Sequence, residues 1–223
     1  MVYWVSMLEL LLLAGFGAIT VRNVAARQEE SPVTRGVSEK LGKLWDIAHQ
    51  GMRESRFLRA EKALLTILKL DQTNAAAYNR LGILYAKQKE YKDAIDCFEI
   101  ASSIDPSASS LHNLGLIYYE TENYEKAANA FEHALKLEDT MAARHIAYAK
   151  VQEKLGNPKL MIAELKKAAE IEPTQESLTL LKKAYENLGM LSDADEVDQK
   201  LQKMIKPTGR KKRVKRPGKR VVV

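Results

Sequence analysis

The chain has 223 residues, of which 46% are hydrophobic and 29% are charged, and it contains one cysteine, Cys97. This composition excludes a collagen-like, wholly disordered or disulfide-stapled chain and suits one domain with appendages. The formal net charge is +6. Residues 206–223 hold nine bases and no acid, so the other 26 bases and 29 acids give the rest of the chain about −3.

Residues 1–22 are predicted to form a transmembrane anchor. Residues 2–21 contain one charged side chain, Glu9, and twenty helical residues rise about 30 Å, which is enough to cross a bilayer core. Arg22 and Arg27 follow this run and no base precedes it, so the positive-inside rule predicts a single-pass membrane protein whose following domain is cytoplasmic. Two alternatives are a cleaved secretory signal, with export of the protein, and a buried helix of a soluble domain.

Glu9 is the unusual residue of this run, because an ionised carboxylate inside a bilayer is costly and tends to mark a function. One interpretation is contact with a second membrane helix. A second is that translation starts at Met7, which would place Glu9 at the water interface. A third is protonation of the carboxylate. Residues 23–40 lack an apolar period and are rich in Gln, Glu, Ser, Pro and Gly, which predicts a flexible linker.

From Leu41 onward the sequence repeats at shifts of 33 or 34 residues. Counted from the start of each unit, positions 4, 7, 8 and 11 and positions 20, 24 and 27 form two stripes at the spacing of buried helix faces. Units begin near Leu41, Ala75, Ala108, Ala142 and Gln175. Each unit therefore predicts a pair of antiparallel helices, which Pro106 and Pro173 end in the second and fourth units.

The second and third units carry the pattern most clearly. The second has Tyr78, Leu81, Gly82, Tyr85, Ala94, Phe98, Ala101 and Pro106, and the third has Leu111, Leu114, Gly115, Tyr118, Ala127, Phe131 and Ala134. These residues resemble the tetratricopeptide repeat family. The resemblance implies an all-α fold, a right-handed solenoid of about five helical hairpins over residues 41–205. The transmembrane helix predicted from the apolar run would precede this solenoid. Lys182 and Asp198 are polar exceptions in the last unit, as expected of a water-exposed cap.

The sequence predicts no enzyme, no metal site, no cofactor and no small-molecule substrate, because no catalytic or ligand spacing occurs. The four histidines, His49, His112, His133 and His145, are interpreted as packing or helix-face residues. Cys97 is interpreted as an inert, partly buried thiol. Carboxylates such as Glu164, beside Lys167, are assigned to solvated helix faces.

The family resemblance implies that the first helices line a concave side that binds peptides of protein partners. The predicted groove residues are Asn79, Arg80, Ile83, Lys87, His112, Asn113, Leu116, Tyr119, Ile146 and Lys150. They suit a peptide with hydrophobic anchors, or they merely shield the hairpins. Family members that hold a chaperone's acidic C-terminus use a set of Lys, Asn and Arg positions, of which this chain matches only Asn113. A chaperone-tail receptor is therefore disfavoured.

Residues 206–223 are predicted to be a disordered basic tail. Its bases are Lys206, Arg210, Lys211, Lys212, Arg213, Lys215, Arg216, Lys219 and Arg220. Three interpretations are open. The tail binds an anionic lipid surface, or it binds nucleic acid (RNA or DNA) or the ribosome, or it serves solubility or a protein partner. The leading functional hypothesis is a membrane-anchored, non-enzymatic adaptor that binds partners in the groove. The alternative is a membrane tether for nucleic acid or ribosomes.

Overall fold

The computed structural model describes residues 32–205, and all regular structure within them is α-helical, which confirms the all-α prediction. Ten helices follow one another in these residues. They are α1 (Pro32–Arg53), α2 (Phe57–Leu70), α3 (Ala75–Gln88), α4 (Tyr91–Ile104), α5 (Ala108–Glu120), α6 (Tyr124–Leu137), α7 (Ala142–Lys154), α8 (Pro158–Ile171), α9 (Gln175–Asn187) and α10 (Leu191–Ile205). The helices pair in sequence as hairpins one to five, in agreement with the five predicted units.

The chain divides into two compact units, Met1–Ile67 and Leu68–Val223, with the division inside α2. In the first unit, Ala48 of α1 and Ala60, Leu64 and Ile67 of α2 are buried. In the second unit, α3 packs on α4, α4 on α5, and so on to α10. Each helix there contacts its neighbours in the chain, as expected of stacked repeats.

The first helix is longer than the sequence predicts. The flexible linker was assigned to residues 23–40, but α1 begins at Pro32, so this assignment is wrong for residues 32–40. Proline is well suited to the first turn of a helix, because its fixed φ is helical and its missing N–H has no intrahelical partner there. Lys43 and Glu39 then form an ion pair one turn apart, 2.6 Å between Nζ and Oε1.

Glycine and phenylalanine bring the helices of hairpins two and three close together. A Cβ atom on Gly82 would lie 2.7 Å from the Phe98 ring, and one on Gly115 would lie 2.9 Å from the Phe131 ring. Both distances are shorter than a carbon–carbon contact allows, so the rings occupy the space that a side chain would need. Positions 8 and 24 of the repeat therefore interlock by shape. Hairpin four uses Ala149 and Leu165 at these positions, and both are buried.

Hairpin five replaces this apolar pair with charges. Lys182 Nζ and Asp198 Oδ1 lie 2.7 Å apart, and both side chains are about one-third exposed. A partly exposed ion pair at the last hairpin agrees with the prediction of a polar cap.

The turn inside each hairpin has the same backbone conformation. The left-handed residues are Ser55, Lys89, Glu122, Gly156 and Gly189, with φ between 57° and 73°. All five lie at position 15 of their units. This conformation lets the chain reverse within about three residues and so sets the antiparallel packing of each helix pair.

The sequence predicted a single-pass membrane protein with cytoplasmic repeats. This predicted localisation is wrong. Among residues 32–205, every helix is too short or too polar to cross a bilayer. The segment assigned to the anchor, residues 1–22, lies outside the described residues, as do Glu9 and the basic tail, residues 206–223.

Candidate functional site

The faces of α3, α5, α7 and α9 that carry repeat positions 2, 5, 6, 9, 12 and 13 are called the first-helix face. Asn79 of α3 and Asn113 of α5 meet there, with the Asn113 Nδ2 atom donating to the Asn79 Oδ1 atom at 3.4 Å. The two residues are 34 positions apart, so the contact joins successive repeats. The remaining Nδ2 hydrogens and the Asn113 Oδ1 atom give the pair further donor and acceptor capacity.

A depression of about 240 Å³ adjoins this pair of amides. Its lining is mainly apolar, and Leu116 remains 38% exposed at its edge. The lining residues are Ile83, Ala86, Lys87, Phe98, Asn113, Leu116 and Ile117. The structure thus brings four of the predicted groove residues, Ile83, Lys87, Asn113 and Leu116, to one place, with an apolar floor and a cation at the rim.

Other predicted groove residues lie in different surroundings. Arg80 and Lys150 are exposed, and Tyr119 is half-buried with its ring against that of Tyr124, 5.7 Å between centroids. Ile146 is only 9% exposed and belongs to the apolar core between α7 and α10. The assignment of Ile146 to the groove is therefore wrong, because its side chain packs inside the stack.

His112 is half-buried and faces a ring instead of open solvent. Its imidazole meets Phe131 edge to face, 5.4 Å between centroids, and its Nδ1 atom is buried without a hydrogen-bond partner among the described residues. Burial lowers the pKa of His112 below its usual 6.5, and the nearby charge of Arg144 lowers the pKa further. The neutral imidazole is thereby favoured, so His112 is suited to packing more than to holding an anionic partner.

A second, smaller depression of about 70 Å³ lies between α7, α8 and α9. Lys150 lies at its rim, as does Lys183, which is exposed and which the sequence analysis did not select. Its lining residues are Ala149, Lys150, Glu153, Met161, Leu165, Leu180, Lys183, Ala184 and Asn187. The fifth unit therefore contributes to the first-helix face, although its weak match to the repeat pattern drew attention away from it.

Hairpin four contains buried charges that the sequence analysis missed. Arg144 is 1% exposed, and its Nη1 atom donates to the carbonyl oxygen of Glu138. Its Nη2 atom lies 3.2 Å from the Glu138 carboxylate. Glu138 caps the C-terminus of α6, so the guanidinium meets carbonyl groups at the negative end of that helix.

His145 and Glu164 form a second buried contact in the same hairpin. His145 Nδ1 lies 2.6 Å from Glu164 Oε2, and His145 Nε2 lies 2.9 Å from the carbonyl oxygen of Asp139. The imidazole ring thus joins the Glu164 side chain of α8 to the backbone of Asp139. Glu164 is 5% exposed, so its assignment to a solvated face is wrong. Lys167 does contact it, at 3.4 Å.

These charged side chains hold the connection between hairpins three and four. Proline follows the second helix at repeat position 32 in the second and fourth units, but Asp139 occupies this position in the third. Arg144 and His145 bind the carbonyl groups of Glu138 and Asp139, and so fix a connection that has no proline. A sequence signal was present, because Glu164 stands at position 23, where the other units have Ala63, Cys97, Ala130 and Val197.

The cysteine is poorly suited to nucleophilic chemistry. Burial, together with the neighbouring carboxylates of Asp93 and Asp96, raises the pKa of Cys97 to about 11. At neutral pH the thiolate, which is the reactive form, is therefore scarce. Within residues 32–205, no three His, Cys, Asp or Glu side chains are grouped to hold a metal ion.

The stacked two-helix units, with interlocking residues at fixed positions, define a class of helical repeat proteins that present a surface of first helices. Residues 73–140 and residues 143–175 match tetratricopeptide repeats in a comparison with protein families. The chain therefore contains tetratricopeptide repeats, which confirms the resemblance of the sequence pattern. A comparison with curated proteins finds no match.

Solved structures show the same fold. The MamA protein is 23% identical, with a TM-score of 0.66 over 74% of this chain and 92% of that chain. PilF of Pseudomonas aeruginosa is 17% identical, with a TM-score of 0.67 over 75% of this chain and 78% of that one. YrrB, described as a TPR protein with an unusual peptide-binding site, is 17% identical, with a TM-score of 0.62 over 82% and 91%. At these identities the likeness shows the fold alone, and this fold suggests a protein-interaction scaffold.

Proposed function

We propose that the chain is a non-enzymatic scaffold whose first-helix face binds an extended segment of a protein partner. The observation that carries this proposal is the pair of amides, Asn79 and Asn113, beside the depression lined by Ile83 and Leu116. Amides pair with the backbone N–H and C=O groups of an extended peptide, and the depression accepts an apolar side chain of that peptide. The peptide-binding site named for YrrB supports the assignment by analogy.

The exposed bases of the first-helix face indicate which peptides bind best. Arg80 and Lys87 are exposed on α3, and Lys150 is exposed on α7. A segment with an apolar anchor and a nearby carboxylate meets both the floor and the rim of this site. Such rim charges mainly affect the rate of association and the choice of partner, while the buried anchor provides most of the affinity.

Site-specific crosslinking tests the proposal. A photocrosslinking amino acid replaces Leu116 in the full chain, produced in the cells that make it, and the matched control replaces Lys136, which is exposed on α6. We expect the Leu116 position to crosslink one segment of a partner protein that the Lys136 position does not reach. Identical partners at both positions, or none at Leu116, would contradict the proposal.

A synthetic peptide of the crosslinked segment then gives the affinity. We expect Leu116→Arg and Asn113→Ala to weaken its binding by about tenfold or more, since each removes a central contact. Lys136→Ala is expected to bind as the wild type does. Fluorescence anisotropy measures the binding, and far-UV circular dichroism shows that each variant is folded.

A further inference from the structure

Two exposed apolar patches break the repeat pattern, one in each unit of the chain. The first is on α2, where Leu58 is 65% exposed and Leu65 is 41% exposed. They occupy positions 18 and 25. The other four units have Lys92, Glu125, Lys159 and Ser192 at position 18, and Glu99, Glu132, Lys166 and Gln199 at position 25. Exposed leucines at both positions are thus particular to hairpin one.

A depression of about 450 Å³ opens beside Leu58, within the first unit. Its rim carries two bases, Arg59 and Lys62, and no acid. The lining residues of this α2 depression are Leu44, Ile47, Leu58, Arg59, Lys62, Ala63 and Thr66. No carboxylate among the residues that the structure describes forms an ion pair with either base. An occupant with an apolar tip and adjacent acids therefore suits it.

The second patch is the turn between α9 and α10, and it has this chemistry. Leu188, Met190 and Leu191 are 43%, 39% and 65% exposed. Position 16 is Met190 in this turn, whereas the other hairpins have Arg56, Glu90, Asn123 and Asn157 there. Asp195 and Glu196 follow within the first two turns of α10 and are exposed, and Glu196 also lies 3.0 Å from Lys200 Nζ in an exposed ion pair.

We propose that the α9–α10 turn of one copy of this chain docks into the α2 depression of a second copy. The leucine and methionine side chains of the turn cover the apolar floor, and Asp195 and Glu196 face Arg59 and Lys62. The contact joins unlike surfaces, so every dimer keeps one free turn and one free depression and can add further copies. The first-helix face takes no part, so this assembly and the proposed peptide binding are independent.

Two variants of the full chain separate the two halves of the contact. Leu58→Asp removes an apolar residue of the depression and repels the acids of the turn, and Leu191→Ser removes the tip of the turn. Both residues are exposed, so both variants are expected to fold as the wild type does. In sedimentation velocity measurements we expect the wild-type mass to rise with concentration, and each variant to stay monomeric. Leu137→Ser is the control, because Leu137 is 54% exposed outside both patches.

An equimolar mixture of the two variants is the decisive sample. One variant supplies an intact depression and the other an intact turn, so we expect a one-to-one dimer and nothing larger. Self-association of either variant alone, a mixture that stays monomeric, or a wild-type chain that is monomeric at every concentration would overturn the proposal. The last outcome includes occupation of the depression by residues 1–31. A charge exchange gives an independent check: Arg59→Glu is expected to weaken assembly, and adding Asp195→Lys to restore it.

Discussion

Hairpins three and four are successive units of one stack, yet their helices are joined by different chemistry. In hairpin three, the Phe131 ring fills the space that a side chain on Gly115 would need. In hairpin four, His145 of α7 binds Glu164 of α8, and Arg144 binds the end of α6. The packing of hairpin three depends on the fit between a ring and a glycine, so its stability is sensitive to added side-chain volume. Hairpin four depends on paired polar groups, so it is sensitive to the loss of one partner.

The difference follows from the connection that each hairpin receives. Hairpin three is preceded by Asp105 and Pro106, where the fixed φ of the proline restricts the chain, and the Ser107 side chain caps α5. Hairpin four is preceded by Glu138 and Asp139, with no proline, and the carbonyl groups of both residues contact buried side chains of α7. The buried charges of hairpin four are thus tied to a local change in the connection, and they preserve the same helix packing.

Removing one partner of the buried pair His145 and Glu164 should have the largest effect on stability. Glu164→Ala leaves the His145 ring buried without its acceptor, which we expect to lower the free energy of unfolding by about 3–5 kcal/mol. Glu132→Ala is the control, since it breaks an exposed pair with Lys136 and should cost much less than Glu164→Ala does. Urea titration followed by circular dichroism measures both. Equal losses in the two variants would contradict the role given to His145 and Glu164.

A double variant sharpens the same comparison. His145→Leu with Glu164→Val places in hairpin four the residue types of hairpin five, Leu178 and Val197. Replacing a buried ionic pair by apolar residues of similar volume is often neutral or stabilising, so we expect much of the stability lost in Glu164→Ala to return. A double variant less stable than Glu164→Ala would show that the connection, and not the pair itself, needs His145.

The next largest effect is expected from adding a methyl group to a glycine. Whether this change stabilises or destabilises the fold should depend on the position of the glycine. Gly115→Ala puts a Cβ 2.9 Å from the Phe131 ring, and we expect a loss of about 1–3 kcal/mol from overpacking. Gly42→Ala in α1 meets nothing within 4 Å, so we expect a gain of up to about 1 kcal/mol from helix propensity. Thermal unfolding gives both signs. A stabilised Gly115→Ala chain would show that the two helices can move apart.

The pH dependence of stability should reveal the burial of His112 in hairpin three. The pKa of His112 is lowered in the folded state, so the unfolded chain binds its proton more readily. His112 therefore makes its full contribution to the free energy of unfolding above its unfolded-state pKa of about 6.5. This contribution declines as the pH falls through that value. We expect His112→Gln to flatten this decline. His133→Gln, at an exposed position of α6, should leave it unchanged, and the same slope in both variants would be evidence against burial of His112.

The smallest change in stability is expected from a substitution in hairpin five. Lys182→Ala breaks a partly exposed ion pair with Asp198, so we expect a small loss of stability that declines further in high salt. Urea titration at two salt concentrations tests this expectation. A loss as large as that of Glu164→Ala would mean that the cap is part of the core.

The sequence predicted the helical hairpins well because their signal is repeated. Gly82 with Phe98 and Gly115 with Phe131 recur at fixed positions, and each copy strengthens the inference. The helical part of residues 32–40 was missed because Val37 and its neighbours are exposed, so no apolar period marks that turn of α1. A pattern of burial cannot reveal a helix segment that buries little.

The candidate site was predictable only in part. Asn113 and Leu116 follow from the family's choice of surface positions, but the contact of Asn113 with Asn79 depends on how two helices pack. Ile146 was misplaced because position 5 of the repeat is buried in hairpin four and partly open in hairpins two and three. Arg144 was overlooked and Glu164 was assigned to a solvated face because charged residues are normally exposed, and only three-dimensional pairing shows when they are not.

The shared left-handed residue of the five turns has a consequence for how such a chain can lengthen. Ser55, Lys89 and Glu122 adopt the conformation that Gly156 and Gly189 adopt at lower cost. Since the reversal needs no particular side chain at this position, a duplicated stretch of one unit would carry a working turn with it. Whole hairpins could then be inserted or deleted during evolution without inventing a new way to reverse the chain.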